Sequence, residues 1–323
     1  MNFFGEPQPY SGGGAGTDAV TVHAVAPEGW EEFIRWVDPM RDPQEVGAAL
    51  QEFERRHRLQ SHTPPPLESR QGSNRVAGAY IMLLGARVAA LAGVRAIDNH
   101  TLSAVNLVNR LVSQVREHEI VQIQAILDGT DSVATEIVQL AGFVPLAELQ
   151  QLVLMLDEIP AEPTQSRPPL PLPANLEWVA VKDVPRARLI QLLAHTFVET
   201  LDCPALDGLR TPEDVLEGFL DGQTLESQTA WWILADQGKF IGCVLINRLP
   251  SGSCELVYMG LGPSARGRGY GKLLLEQGIA AARELRSEMF VAAVDCGNWP
   301  ATRLYLQAGF HEHARVQAWF YRA

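Results

Sequence analysis

Along the second half of the chain the apolar residues switch between two spacings, and each switch marks an element. Alternation of apolar and polar positions predicts strands at Leu176–Val181, Ala230–Asp236, Phe240–Asn247, Cys254–Leu261, Phe290–Asp295 and Arg315–Tyr321. Apolar positions three and four apart predict helices at Arg186–Thr200 and Pro212–Leu220 and a third carried by Leu274, Gly278, Ala281 and Leu285. A fourth helix, Pro300–Ala308, is stopped by Gly309. Strands interleaved with helices in this order give a mixed sheet flanked by helices, an α+β or α/β sandwich.

The same pattern recurs earlier. A shift of 167 residues lays "DGTDSVATEIVQLAGF" (Asp128–Phe143) on "DCGNWPATRLYLQAGF" (Asp295–Phe310) without a gap, the alternating segment Val121–Asp128 on Glu288–Asp295, and Gly93 on Gly260. One shift through several elements argues for a duplicated domain; chance similarity of short patterns is the alternative. Between the copies, Pro160, Pro163, Pro168, Pro169, Pro171 and Pro173 remove ladder donors and favour extended backbone, which predicts a semi-rigid linker over 157–175. The expected organisation is a flexible Gly/Ser-containing tail (1–19), a first domain (20–156), the linker, and a second domain (176–323). A length of 323 residues suits two cores better than one.

Composition narrows the class. With 46% hydrophobic and 20% charged residues the chain reads as globular, and its longest apolar runs, such as Ala89–Val94, fall far short of the roughly 20 residues of a membrane helix. The N-terminal segment lacks the basic start and apolar core of a secretory signal, so the expected compartment is the cytoplasm. Cys203, Cys243, Cys254 and Cys296 show neither a C-x-x-C pair nor zinc spacing and read as reduced packing thiols; no metal is expected. A formal net charge of −12 disfavours nucleic acid and mildly favours an amine-bearing small molecule.

Against that acidic background, Leu256–Leu275 holds no Asp or Glu but carries Arg266, Arg268 and Lys272 in "PSARGRGYGKLLL". Glycines directly after a strand and before a helix gather main-chain N–H groups and the positive helix end at one point, as a phosphate or pyrophosphate site requires; an ordinary Gly-rich turn is the other reading. Spacing excludes two familiar cradles. Gly267, Gly269 and Gly271 recur every second residue, unlike the dinucleotide fingerprint, and Arg266 and Leu273 stand where a P-loop needs Gly and a hydroxyl.

What remains, R-x-x-G-x-G at Arg266, Gly269 and Gly271, preceded by "ELVYMGLGP" and followed by Asn298, Ala301, Tyr305 and Gly309-Phe310, resembles the GNAT superfamily of acyl-CoA-dependent N-acyltransferases over roughly 176–323. The pairing of two such domains is also similar to the mycothiol synthase family, although no acceptor-binding residue can be matched. The resemblance implies acetyl-CoA as co-substrate, its pantetheine arm bonded by the main chain near Met259, Gly260 and Leu261. It implies that Arg266, Gly267, Arg268, Gly269, Tyr270, Gly271 and Lys272 meet the phosphates. Asn298 contacts the cofactor, caps the following helix, or does both.

By the same resemblance Glu255 is the general base that takes the amine proton, against a reading as a solvated strand residue, and Tyr305 is the general acid at the sulfur, against a reading as core. Cys203 and Cys296 lack an activating neighbour and are expected to pack. Glu199 and Asp202 can bind a cationic acceptor or merely form a solvated acidic loop. At the 167-residue shift Arg266, Gly269, Gly271, Glu255 and Tyr305 correspond to Asn99, Leu102, Ala104, Val88 and Val138, so the first half is expected to be catalytically silent. The expected activity is acetyl transfer to a primary amine of a small molecule by direct attack. A non-catalytic acyl-CoA sensor or scaffold, or a protein N-terminal or lysine acetyltransferase, is the alternative. The internal pair can replace the homodimers common in the family, giving a monomer or weak homodimer.

Overall fold

The computed structural model describes residues 19–322 except 40–42, 61, 85–86, 119, 157–171, 207, 221–222 and 250. The expected tail and most of the expected linker therefore lie outside the described residues. Among the described residues twelve strands form one sheet: β1 (Val20–Ala24), β2 (Leu67–Gln71), β3 (Asn74–Leu83), β4 (Val88–Ala96), β5 (Gln122–Asp128), β6 (Val144–Met155), β7 (Leu176–Ala180), β8 (Trp231–Asp236), β9 (Lys239–Arg248), β10 (Cys254–Leu261), β11 (Met289–Asp295) and β12 (His311–Arg322). The helices are α1 (Trp30–Val37), α2 (Pro43–Leu59), α3 (Thr101–Arg116), α4 (Ser132–Leu140), α5 (Arg186–Phe197), α6 (Pro212–Leu220), α7 (Tyr270–Glu284) and α8 (Trp299–Gln307).

The strand order is β1-β2-β3-β4-β5-β12-β6-β11-β10-β9-β8-β7. All neighbours are antiparallel except β4 with β5 and β10 with β11. Each half thus gives its last strand to the other: β12 lies between β5 and β6, and β6 between β12 and β11. The exchange is symmetric to the residue, for Asp128 faces Val316 and Asp295 faces Leu149, pairs related by the same 167-residue shift. Backbone donors and acceptors that would form an exposed edge are thereby consumed between the halves.

In the second half the sheet separates two cores. One packs under α7 and α8 and contains Leu234, Val244, Ile246, Leu274, Leu275, Phe290 and Tyr305; the other packs under α5 and α6 and contains Leu189, Leu193, Leu216, Trp231 and Cys243. Strand β10 serves both. Cys254, Leu256, Met259 and Leu261 face the α7 side, whereas Val257 and Tyr258 both face the α5 side, because the ladder with β9 slips by one residue between Leu256 and Tyr258. A single inserted residue reverses which face the following side chains occupy. That bulge also marks where β10 leaves β11: the parallel pairing covers only Cys254, Glu255 and Leu256. Past it the sheet is split, and residues 257–261 have an unpaired edge toward the gap.

Candidate active site

The split in the sheet runs directly into the glycine loop. After β10 a short turn at Pro263–Ala265 leads to Gly267 and Gly269, both left-handed (φ +74° and +79°), and Gly269 is the N-cap of α7. A β-carbon would meet nothing within 4 Å at either position, so backbone conformation rather than crowding calls for glycine there. Gly271 is different, since its β-carbon would press on Leu304 Cδ2 of α8 at 3.3 Å. Within this arc the N–H groups of Gly267, Arg268, Gly269, Tyr270 and Gly271 find no carbonyl acceptor among the described residues; pairing resumes at Lys272 N–H, 3.1 Å from Gly269 O. Five consecutive donors beside a positive helix end form a cradle with the chemistry to hold an anion. Arg268 and Lys272 are exposed at its rim, and Lys272 lies 3.7 Å from Glu276.

Arg266, expected at the phosphates, has contacts within the chain. Its guanidinium donates to Thr196 O (3.0 Å), Val198 O (2.7 Å), Glu199 O (3.0 Å) and Leu261 O (3.0 Å). One of these, Thr196 O, belongs to the last turn of α5, Val198 O to its C-cap and Glu199 O to the residue just past it, which is left-handed (φ +53°). A cation at a helix C-terminus is favoured by the dipole as well. Arg266 therefore staples the glycine loop to the end of α5, with four of its five guanidinium donors bonded within the chain.

On the α8 side, Asn298 caps the helix, its side chain accepting from Ala301 N–H, and Pro300 occupies the first turn. Tyr305 points into the core beside Phe310, their ring centroids 5.5 Å apart. Burial, with Asp202 adding to it, raises the Tyr305 phenol well above its usual value, so it holds its proton at neutral pH. The loop after α5 reaches this corner. Asp202 accepts from Asp295 N–H (3.0 Å), and Asp295 accepts from Cys203 N–H (3.0 Å) and Gly297 N–H (2.7 Å). Although Asp202 is exposed as a residue, its carboxyl is crowded: burial and then Asp295 raise its pKa, against the bonds from Asp295 N–H and Asn298 that lower it. The loop is thus not merely solvated, and this carboxylate pair is a feature the sequence reading did not find. Cys203 is pushed up to about 12 by burial and the two aspartates, and Cys243 to about 12 by burial alone, which suits packing rather than attack.

Glu255 lies on the opposite side of β10 and lines a cavity of about 510 Å³ between the two halves. Arg56, Arg87 and Gln124 of the first half face Arg210, Asn247 and Glu255 of the second across it. Asn247 is fixed there, accepting from Trp231 Nε1 (3.0 Å) and donating to Phe219 O (2.8 Å). Tyr258, next along β10, donates to Thr196 Oγ1 (2.8 Å) and stacks on Phe219. A second, shallower depression runs over Trp299, Thr302, Arg303 and Leu306, the outer face of α8 turned away from Tyr305. Among the described residues, no group of three His, Cys, Asp or Glu is gathered as a metal would require, and no helix is long and apolar enough to cross a membrane.

A mixed sheet split beside a glycine cradle, flanked by helices on both faces, is the architecture of GCN5-related acyltransferases. Residues 194–310 match the acetyltransferase (GNAT) family. The fold extends over both halves. A GCN5-related N-acetyltransferase from Sphaerobacter thermophilus superposes with a TM-score of 0.61 at 17% identity, over 94% of this chain and 95% of that one. A tandem GNAT protein from the clavulanic acid biosynthesis pathway gives 0.52 at 14%, over 94% and 98%. The glucosamine N-acetyltransferase region of a fungal multi-domain GH3 β-N-acetylglucosaminidase gives 0.60 at 10%, over 95% of this chain and 38% of that protein. Among curated protein sequences none matches. Over both halves the chain therefore shares the fold of these solved acetyltransferase structures, and the family model that its residues 194–310 match is one of acetyltransferases.

Proposed function

We propose that the chain transfers the acetyl group of acetyl-CoA to a primary amine of a small molecule, by direct attack at a single site in the second half. The observation that carries the reading is the course of β10. One strand brings Glu255 to the cavity between the halves, then opens its main chain at Met259, Gly260 and Leu261, and then enters five unpaired N–H groups. In this reading the cradle holds the pyrophosphate, with Arg268 and Lys272 adding charge. The open edge of β10 bonds the pantetheine arm, which supplies the activated acetyl group, and Asn298 borders it.

The residues of the chain then divide the proton work. Glu255 accepts the proton of the attacking amine, directly or through water, as the new C–N bond forms. Tyr305, kept protonated by its surroundings, donates to the sulfur as the C–S bond breaks. The first half is proposed to bind no acetyl-CoA. At the position of Gly269 it has Leu102, a side chain 69% exposed at the start of α3, and the turn before it is made by Asp98 and Asn99 at positive φ without any glycine. Its contribution is instead one wall of the acceptor cavity and the exchanged strand β6. Release of free thiol from acetyl-CoA over a panel of amines tests the proposal: amine-dependent release is expected, and binding of acetyl-CoA with no release over the panel would favour a sensor or scaffold.

A further inference from the structure

The cavity that Glu255 lines has an imbalance in its charges. Arg56 is paired with Glu52 and bonds Leu83 O (2.9 Å), and Arg87 lies 3.3 Å from Asp214. Glu217 is engaged by Arg186 on its outer side. Arg210 is held in another way. Its Nε donates to Gln122 Oε1 (2.7 Å) and one Nη to Gln124 Oε1 (3.0 Å), two neutral carboxamides presented by alternate residues of β5, and no carboxylate lies within ion-pair distance among the described residues. The two glutamines fix the plane of the guanidinium and satisfy two of its five donors, which leaves a fork of N–H groups with no direct carboxylate partner at the cavity wall. Burial lowers the pKa of Arg210, against Cys203 and Asp214, which raise it; Asp214, on the same cavity wall, lies beyond ion-pair distance of Arg210 and is engaged by Arg87 and Thr211.

We propose that the acceptor is an amine that also bears a carboxylate, of amino-acid to dipeptide size, bound with its carboxylate on Arg210 and its amine toward Glu255. A cavity of about 510 Å³ accommodates a molecule of that class. Opposite charges on one wall set select a zwitterion over a simple polyamine, because a second amine in place of the carboxylate would meet the Arg210 cation. The geometry also gives the first half a role in recognition: its β5 glutamines aim Arg210. Gln122, 2% exposed, has a buried Nε2 without a partner, so β5 keeps that side chain in place for its oxygen alone.

This inference rests on the acetyl-transfer reading only for the role of Glu255, and its test separates the two. The full chain, with CoA present, is titrated calorimetrically with free L-amino acids and dipeptides and with the same compounds as C-terminal amides. The acids are expected to bind on the order of 10- to 100-fold more tightly than the amides, the range for a hydrogen bond to a charged group. Arg210→Met removes the difference, and Arg210→Lys restores part of it. Equal binding of acids and amides by the unaltered protein, no binding of the acids, or a preference that survives Arg210→Met overturns the proposal. Thiol release is read on the same compounds. Binding of the acids without release overturns acetyl transfer and leaves the Arg210 site standing; release with no carboxylate preference does the reverse.

Discussion

Replacing Arg266 by Met keeps the aliphatic stem and removes every hydrogen bond of the guanidinium. Two of its four carbonyl partners, Thr196 O and Leu261 O, are part-buried contacts and two, Val198 O and Glu199 O, are exposed. Charge-assisted bonds are worth about 1.5 kcal/mol each where partly buried and much less where water can replace the donor, so the sum is about 3 kcal/mol. Unfolding entropy of about 2.1 cal/mol/K per residue gives roughly 0.65 kcal/mol/K for a chain of this size, and the expected fall in Tm is about 5 °C. Thermal unfolding is measured together with equilibrium binding of acetyl-CoA well below the transition. A staple predicts the loss of Tm with less than about a tenfold change in affinity. Arg268→Ala and Lys272→Ala should behave oppositely, with Tm nearly unchanged and acetyl-CoA affinity reduced and less sensitive to salt. An unchanged Tm with affinity reduced 100-fold in Arg266→Met would show that its guanidinium meets phosphate and that the four carbonyl bonds are dispensable.

Tyr305→Phe should lower kcat by about 100-fold or more while the KM for acetyl-CoA stays close to its original value, since only the proton donor is lost. Glu255→Gln should lower kcat similarly and remove the acidic limb of the pH–rate profile; a profile that keeps that limb would place the base elsewhere. Gly269→Ala, at φ +79° with open space for the methyl group, should cost about 1 kcal/mol through backbone conformation and weaken acetyl-CoA binding. Asp202 has its pKa raised in the folded chain, so its charged form opposes folding, and this contribution becomes unfavourable as pH rises above the ordinary aspartate range through the folded value. Asp202→Asn, which keeps an oxygen for Asp295 N–H, should therefore gain stability at pH 7 relative to pH 4 in urea unfolding; an equal effect at both pH values would refute that cause.

The elements of the second half are legible in the sequence because each buries one stripe or one face. The helices expected at Pro212–Leu220 and Pro300–Ala308 and the strand at Cys254–Leu261 occur within a residue of those bounds. Strand partners are less legible. Period-two patterning marks Arg315–Tyr321, within β12, as a strand but carries no record of which neighbours pair with it, and the sequence reading names no strand at β6, so the exchange between halves appears only in three dimensions. The bulge at Val257 is hidden for a similar reason, as Leu256, Val257, Tyr258 and Met259 read as one apolar run whichever face each takes. The contacts of Arg266 are not legible in its motif either: the sequence sets it at the edge of the glycine loop, and only the fold brings the carbonyls of Leu261 and of residues 196, 198 and 199 to its guanidinium. The acceptor cavity depends on Arg56, Arg87 and Gln124, more than 80 residues before the nearest second-half wall residue, Arg210. No local pattern joins them.

The central claim, that β10 and the glycine cradle form the one acetyl-CoA site of the chain, is tested most directly by a crystal structure with acetyl-CoA bound. The account predicts one molecule per chain, with its pyrophosphate on the N–H groups of residues 267–271 and its pantetheine arm along Met259, Gly260 and Leu261. A pyrophosphate bound at the Asp98–Thr101 turn of the first half, or two molecules related by the 167-residue repeat, would contradict it.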